Sequence, residues 1–323
     1  MLKMLFNNAL PMALRLGAAA VSLVAIVTAS TLAADVRQKI FASPAAAVDA
    51  LIAANRGDRI SELFGILGPE SAKLIRSGDP IADKGARARF VASYDTAHKL
   101  EFDGESKAIL IVGSDAWPLP IPIIREHDRW RFDTKAGEEE ILNRRIGRDE
   151  LTVIATCRAY VVAQREYAAE KLGPGGMAEY AQHFVSKVGM RDGLYWPVKQ
   201  GEQESPLGPL IAQAREAGYR PGTPHLKPRP YYGYYFRILN RQGSSAPGGA
   251  KDYTVNGHMV AGFALIASPA TYGDSGVMTF IVNQDGIVYE KNLGTDTTRI
   301  AAAITSYDPD GTWHVSRDSS VER

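Results

Sequence analysis

The feature that most constrains the fold is a long helical pattern in the middle of the chain. From about residue 140 to residue 171, apolar side chains recur every three or four positions, which indicates an amphipathic helix. The segment LGPGG at residues 172–176 ends the pattern, because glycine and proline stop helices. The apolar positions are Ile146, Leu151, Ile154, Cys157, Val161 and Ala168. A helix of this kind must pack its apolar stripe against another layer of structure.

The residues before this helix change from a helical to a strand-like pattern. Residues 41–75 indicate helices, and Ser43 followed by proline predicts the start of the first one. Another helix is predicted over residues 87–98. From residue 107 the chain has short runs rich in β-formers, separated by turn residues, which predicts an antiparallel sheet.

After the long helix, the pattern predicts two further helices and then strands only. The helices are expected at residues 177–188 and 205–218. The strands are expected at residues 232–239, 259–268, 277–283 and 287–291. The last two flank Asp285-Gly286, a strong hairpin signal.

This order of elements predicts an α+β chain with two domains. Residues 35–139 are expected to form an N-terminal domain with helices followed by an antiparallel meander. Residues 140–323 are expected to form a second domain, in which the long helix packs on an antiparallel sheet. A chain of 323 residues is long enough for two such domains.

The first 34 residues have the composition of a secretory signal peptide. Lys3 and Arg15 precede an apolar run without acids, which ends in the small residues TASTLAA at positions 28–34. The run is shorter than the roughly 20 residues that span a bilayer, so cleavage is favoured over a retained anchor. We therefore expect a periplasmic or secreted protein without stable membrane insertion after the signal is removed.

Charge and cysteine content exclude several classes of protein. The chain has 37 basic and 36 acidic residues, and this near-neutral balance gives no electrostatic reason to expect nucleic-acid binding. Cys157 is the only cysteine, so no intramolecular disulfide can form. Cys157 lies on the apolar stripe, which is typical of a structural, buried thiol.

No pattern indicates catalysis, a metal or a cofactor. The segment GDSG at residues 273–276 resembles the surroundings of a protease serine, but no histidine has the matching context, and a turn is favoured. The six histidines are scattered without metal-ligand spacing. The segment DPDG at residues 308–311 lacks the further acids of a calcium loop, so a turn is favoured there too.

Aromatic residues are the candidates for contact with another molecule. Tyr195 and Trp196 lie in a predicted loop, where they either anchor a ligand or plug the seam between the helix and the sheet. In the tyrosine-rich segment at residues 231–239, alternation places Tyr234 and Phe236 toward the long helix and leaves Tyr231 and Tyr235 on the other face. The candidate interaction surface is therefore Tyr195, Trp196, Tyr231 and Tyr235.

Two resemblances extend this interpretation. The chain from about residue 40 to residue 315 is similar to an uncharacterised bacterial family, the domain-of-unknown-function 2950 (DUF2950) proteins. The segments that carry this resemblance are WPLPIP at 117–122, WRFDTKAG at 130–137, RRIG at 144–147, DGLYW at 192–196, YGYYFR at 232–237 and YGDSG at 272–276. The plan of helix, loop and meander over residues 143–295, with AQREY at 163–167, resembles the globular domain of type IV pilins and pseudopilins.

The pilin resemblance implies a module reused outside a fibre. Pilin subunits assemble through a continuous apolar helix, whereas this helix begins with charged Arg144, Arg145 and Arg148. We therefore expect a non-enzymatic protein of the cell envelope that contacts or scaffolds an envelope protein. The alternative is a periplasmic ligand-binding protein, or an enzyme acting on peptidoglycan or peptide, with a cleft lined by Tyr195, Trp196 and Tyr231.

Overall fold

A computed structural model describes residues 37–199, 201–219 and 229–316 of the chain. The predicted signal peptide lies outside the described residues. Within the described ranges, no helix combines the length and the apolar character needed to cross a membrane. These residues form α-helices and antiparallel sheets, so the fold class is α+β.

Seven α-helices occur in the described residues. They are α1 (Pro44–Arg56), α2 (Ile60–Leu67), α3 (Ala72–Ile75), α4 (Pro80–Thr96), α5 (Thr134–Ala169), α6 (Gly208–Glu216) and α7 (Thr297–Ala303). The predicted start of α1 is confirmed, because the Ser43 hydroxyl accepts a hydrogen bond from the Ala46 N–H at 3.1 Å.

The strands form two larger antiparallel sheets and two short pairs. The strands are β1 (His98–Asp103), β2 (Lys107–Val112), β3 (Trp117–Pro118), β4 (Ile123–Glu126), β5 (Arg129–Phe132), β6 (Tyr234–Leu239), β7 (Arg241–Gln242), β8 (Lys251–Asp252), β9 (Thr254–Val255), β10 (His258–Met259), β11 (Ala264–Pro269), β12 (Met278–Asn283), β13 (Tyr289–Asn292) and β14 (His314–Val315). The first sheet has the order β1-β2-β4-β5, with β3 beside β2, and the second has the order β14-β13-β12-β11-β6. The hairpin predicted around Asp285-Gly286 is confirmed as the pair of β12 and β13.

Two separate apolar clusters lie against these sheets. The first contains side chains of α1, α2, β2 and β5, together with Ile75 and Leu119. The second contains side chains of α5, β11 and β12 and of the loop around Trp196. Tyr234 of β6 reaches Glu150 of α5 with its hydroxyl, whereas Arg237 donates to carbonyls at the end of α7. Because neighbouring strand positions alternate between faces, α5 and α7 cover opposite faces of the second sheet.

The long helix α5 is a single helix of 36 residues that belongs to both clusters. Ile141, near its start, packs against the first cluster, and the second cluster begins at Val153. The predicted stripe is wrong at Leu151, which is 54% exposed. The predicted positions Ile154, Cys157 and Val161 are buried, and the buried face extends to Val153 and Tyr160.

The helix predicted at residues 177–188 is wrong, because this segment is irregular. Its backbone finds partners outside itself: the fully buried Gln164 of α5 donates to the Ala181 carbonyl and accepts from the Ala181 N–H, both at 2.8 Å. The Ser186 N–H donates to the Tyr195 carbonyl, and the Tyr195 N–H donates to the Phe184 carbonyl. A segment whose N–H and C=O groups are satisfied in this way does not need helical hydrogen bonds.

The tyrosine-rich strand is shorter than predicted, because β6 begins at Tyr234 and the preceding residues form a turn. Tyr232 has φ of 46° and Gly233 has φ of 74°, so this turn uses the left-handed region. The two N–H groups of the turn donate to the Tyr219 hydroxyl at 3.1 Å and to Asp79 Oδ2 at 3.0 Å. Asp79 is the N-cap of α4, so the turn ties β6 to the helices of the first half.

Candidate functional site

An apolar pocket of about 280 Å³ lies between the helices of the first half and the start of α5. Its volume is close to the lower end of the range that small-molecule sites occupy. Its wall is made of ten large apolar side chains: Leu51, Leu63, Leu67, Leu74, Ile75, Phe90, Trp117, Leu119, Ile121 and Ile141. We call this site the arginine pocket, because Arg87, Arg144, Arg145 and Arg148 also line it, together with Asn55, Asp83 and Ala86.

Three of the four arginines come from two consecutive turns of α5. Arg144 and Arg148 are four residues apart, and Arg145 and Arg148 are three apart, so all three lie on one side of the helix. Like charges at these spacings destabilise a helix by about 0.2–0.5 kcal/mol per pair. The repulsion between these three arginines therefore slightly destabilises this part of α5.

Arg87 and Arg145 are held firmly by the protein. Arg87 forms an ion pair with Asp58 at 2.7 Å and donates to the Ile75 carbonyl. Arg145 donates to the carbonyls of Lys73 and Leu74, and burial lowers the pKa of its guanidinium. Asp83 and Asp149 oppose this lowering of the pKa, but the hydrogen bonds that Arg145 makes are to neutral carbonyls in the pocket wall.

Arg144 and Arg148 are held less firmly. Their side chains are 45% and 46% exposed. Arg144 pairs with the exposed Glu140 one turn earlier, and its guanidinium lies 5.2 Å from the centre of the Trp117 ring. Exposed ion pairs contribute about 0–1 kcal/mol, so exchanging Glu140 for another anion costs little.

Arg148 binds only one of the two carboxylate oxygens of Asp149. Its Nε and Nη2 atoms donate to the same oxygen of Asp149, at 3.2 and 3.1 Å. A guanidinium has five N–H donors in a fork, so this arrangement leaves three donors that Asp149 does not engage. Arg148 also lines an adjoining groove, which shares Phe90 and Trp117 with the arginine pocket.

Asp83 and Asp149 are buried and are poor binding groups for a cation, and the exposed Glu140 is already paired with Arg144. Both oxygens of Asp83 accept from the Ser77 N–H, and burial raises the pKa of Asp83. Burial also raises the pKa of Asp149 to about 6, although Arg148 opposes this shift. The accessible charge of the pocket is therefore positive.

The comparisons with known proteins place this chain in a family. The model of the family described as "Protein of unknown function (DUF2950)" matches residues 38–315. The chain belongs to the DUF2950 family. The comparison with curated proteins and that with solved structures gave no match.

Two segments that carried the DUF2950 resemblance in the sequence meet at the arginine pocket. Residues 117–122 contribute Trp117, Leu119 and Ile121, and residues 144–147 contribute Arg144 and Arg145. Sequence analysis missed the pocket, because its wall combines residues more than 90 positions apart. The available signal was the set of three arginines on one side of a helix, which was interpreted only as a departure from pilins.

The four aromatic candidates occupy three different environments in this DUF2950 protein. Tyr195 and Trp196 are buried, at 8% and 6% exposure, and Trp196 packs edge-on against Tyr167 of α5. Tyr231 is half-buried and lines a cavity of about 210 Å³ with Tyr219 and Ile211. Tyr235 is 38% exposed on β6. The structure therefore does not bring the four rings together in one site.

The segments considered for catalysis and metal binding form turns. Ser275 is fully buried, and its hydroxyl donates to the Thr271 carbonyl while accepting from the Thr271 N–H. Asp308 accepts from the Ser245 N–H, and Asp310 accepts from Thr312. Within the described ranges, no group of three or more His, Cys, Asp or Glu side chains is placed to hold a metal ion.

Proposed function

We propose that the protein is an exported, non-catalytic binding protein of the cell envelope, and that the arginine pocket is its ligand site. The observation that carries the proposal is the combination of ten apolar wall residues with exposed Arg144 and Arg148 at one side. Ligand pockets typically combine an apolar wall with a few placed polar groups.

The titratable groups of the pocket favour binding over acid–base catalysis. Guanidinium groups stay protonated at neutral pH and do not accept protons. The carboxyl group in the wall, Asp83, has both oxygens on the Ser77 N–H. A general base has to reach the proton that it removes, and the oxygens of this carboxyl are turned to the Ser77 backbone instead.

Filling the pocket tests this function. Ala86 lines the pocket on α4, whereas Ala88 of the same helix is exposed. We expect Ala86→Leu to weaken the binding of small apolar compounds, measured by calorimetry with neutral and charged probes, and Ala88→Leu to leave it unchanged. Equal binding by both variants, or no binding by the unsubstituted protein, would refute the ligand site.

The export part of the proposal rests on the signal-peptide pattern of residues 1–34. N-terminal sequencing of the protein from the periplasm or the medium tests it. We expect a start near Asp35, and a start at Met1 in the cytoplasm would contradict export.

The arrangement of two domains, with a pilin-like second one, is part of the same proposal. The separate apolar clusters on either side of residue 150, and the long α5 against an antiparallel sheet, support it. Expression of residues 35–152 alone, which keeps the part of α5 that precedes the second cluster, tests the division. A cooperative unfolding transition is expected from an independent domain, and an unfolded fragment would contradict it.

A second candidate function is protein–protein contact at β6. This strand is at the end of its sheet as described, and Tyr235 is exposed on it beside a polar groove lined by Arg237 and Arg241. A strand edge offers backbone N–H and C=O groups to a partner strand. We expect Tyr235→Glu to abolish co-purification of an envelope partner, with the exposed Val162→Glu on α5 as the control; equal recovery of the partner by both variants would refute the contact.

A further inference from the structure

We propose that the arginine pocket selects an anionic amphiphile, with an acyl or alkyl chain in the apolar cavity and a carboxylate or phosphate head at Arg144 and Arg148. This inference rests on the proposed ligand site and names the chemical class of its ligand. It follows from three properties of the described residues: the depth of the apolar wall, the availability of the two arginines, and the sign of the accessible charge.

The cavity limits the size of the apolar part. A volume of about 280 Å³ corresponds to about nine non-hydrogen atoms, if each takes the roughly 30 Å³ of a molecule in liquid water. The wall away from α5 consists of side chains such as Leu51, Leu63 and Phe90. An octyl chain fits this space and removes apolar surface from water on both sides.

The head group is assigned to Arg144 and Arg148 because their side chains are exposed and the other two guanidiniums are held more firmly. Arg87 is bound to Asp58 and Arg145 to two backbone carbonyls. Arg144 and Arg148 have exposed side chains on adjacent turns of α5 and can point to one anion between them. Carboxylate and phosphate oxygens accept the parallel N–H bonds that a guanidinium offers.

An anion at this position also relieves the repulsion along α5. The three like charges at Arg144, Arg145 and Arg148 are unfavourable for the free helix. A bound anion between two of them converts this repulsion into attraction. A cationic amphiphile would instead add a fifth positive charge to the four arginines of the pocket, and Asp83 is turned toward Ser77.

Four probes with the same octyl chain and different head groups test the inference. The probes are octanoate, octyl phosphate, octan-1-ol and octylammonium, titrated into the full chain by calorimetry. We expect the two anions to bind at least about tenfold more tightly than octan-1-ol, because charge-assisted bonds are stronger than neutral ones. Octylammonium is expected to bind more weakly than octan-1-ol, and added salt to reduce the anion preference.

Variants of the protein test the contact with the head group and the contact with the alkyl chain separately. The double variant Arg144→Gln/Arg148→Gln is expected to lose the anion preference and to keep its affinity for octan-1-ol within about twofold. Arg165→Gln, on the same helix but outside the pocket, serves as the matched control. Ala86→Leu is expected to weaken all four probes, because it fills the cavity.

The outcomes distinguish the ligand class from the ligand site. If octan-1-ol binds as tightly as octanoate and Ala86→Leu weakens both, the site stands and the anionic class is wrong. If the anions bind but the double variant binds them equally, the head group is not at Arg144 and Arg148, and the inference is also wrong. If no probe binds, or Ala86→Leu has no effect, both the class and the site fail.

Discussion

Replacing Tyr219 by phenylalanine tests how the turn before β6 is tied to the helices of the first half. The Tyr219 hydroxyl donates to Asp79 Oδ2 at 2.7 Å and accepts from the Tyr232 N–H at 3.1 Å. Asp79 is almost fully buried, and its other oxygen accepts from the Ile81 and Ala82 N–H groups at the start of α4. One hydroxyl therefore connects a helix N-terminus to a strand that begins more than 150 residues later.

The magnitude follows from the two bonds that Tyr219→Phe removes. A hydrogen bond to a charged group contributes about 1.5–3 kcal/mol, and a neutral one about 0.5–1.5 kcal/mol. Tyr232 is half-buried, so water can replace part of the second bond. The aromatic packing of ring 219 against Tyr231 and Tyr232 is retained. We expect the free energy of unfolding to fall by about 2–4 kcal/mol.

Urea unfolding followed by circular dichroism measures this loss, with Tyr195→Phe as the matched control. The Tyr195 hydroxyl accepts one bond from Arg215, an exposed side chain, so its removal should cost about 0–1 kcal/mol. A double-mutant cycle with Asp79→Asn should give a coupling energy above about 1 kcal/mol between positions 79 and 219. If Tyr219→Phe lowers the free energy of unfolding by less than about 0.5 kcal/mol, or if the coupling energy is near zero, the Tyr219 hydroxyl does not connect α4 to the turn before β6.

Three further outcomes follow from buried groups. Because the raised folded pKa of Asp149, about 6, lies above its ordinary 3.8, its burial penalty is fully present above the folded pKa and disappears as pH falls toward the ordinary value. Wild-type protein should therefore gain on the order of 3 kcal/mol over Asp149→Asn between about pH 7 and pH 4 in urea unfolding, and a constant difference would contradict the buried carboxylate. Gly137→Ala should destabilise α5 in thermal unfolding although alanine favours helices, because its Cβ would lie 2.6 Å from the Pro120 backbone; Gly147→Ala, where nothing lies within 4 Å, should not. Burial raises the pKa of Cys157 to about 12, so a thiol reagent should react with it only at the rate of unfolding, and prompt labelling of the native protein would show the thiol to be accessible.

Local patterns predicted the elements whose hydrogen bonds are local. The capped start of α1 and the hairpin of β12 and β13 were found because the residues that specify them are neighbours in sequence. The segment 177–188 was misassigned because the partner of Ala181 is the side chain of Gln164, which no pattern within the segment reveals. Tyr232 was placed in a strand because period-two alternation does not register a positive φ.

The candidate site was harder to predict than the fold. Asp79 is the buried cap that accepts hydrogen bonds from Tyr219 and Gly233, which follow it by 140 and 154 positions in the sequence. The arginine pocket depends on α1, α2 and α4 meeting the start of α5, and such contacts are set by tertiary packing. Arginines on one side of a helix are usually a solvated face, so sequence alone favoured the ordinary interpretation.

The position of the arginines on α5 gives the strongest reason to treat the pocket as functional. The helix is long enough to join both apolar clusters, and its second half is fixed by apolar packing and by Gln164. In its first half, Arg145 alone would secure the contact with α3 through two carbonyls. Arg144 and Arg148 add repulsion and contribute only exposed or incomplete bonds to the fold. The exposed pair of Arg144 contributes little to stability, and Asp149 engages only part of the Arg148 guanidinium, whereas an anion bound between the two arginines would offset the repulsion and use the donors that Asp149 leaves unengaged.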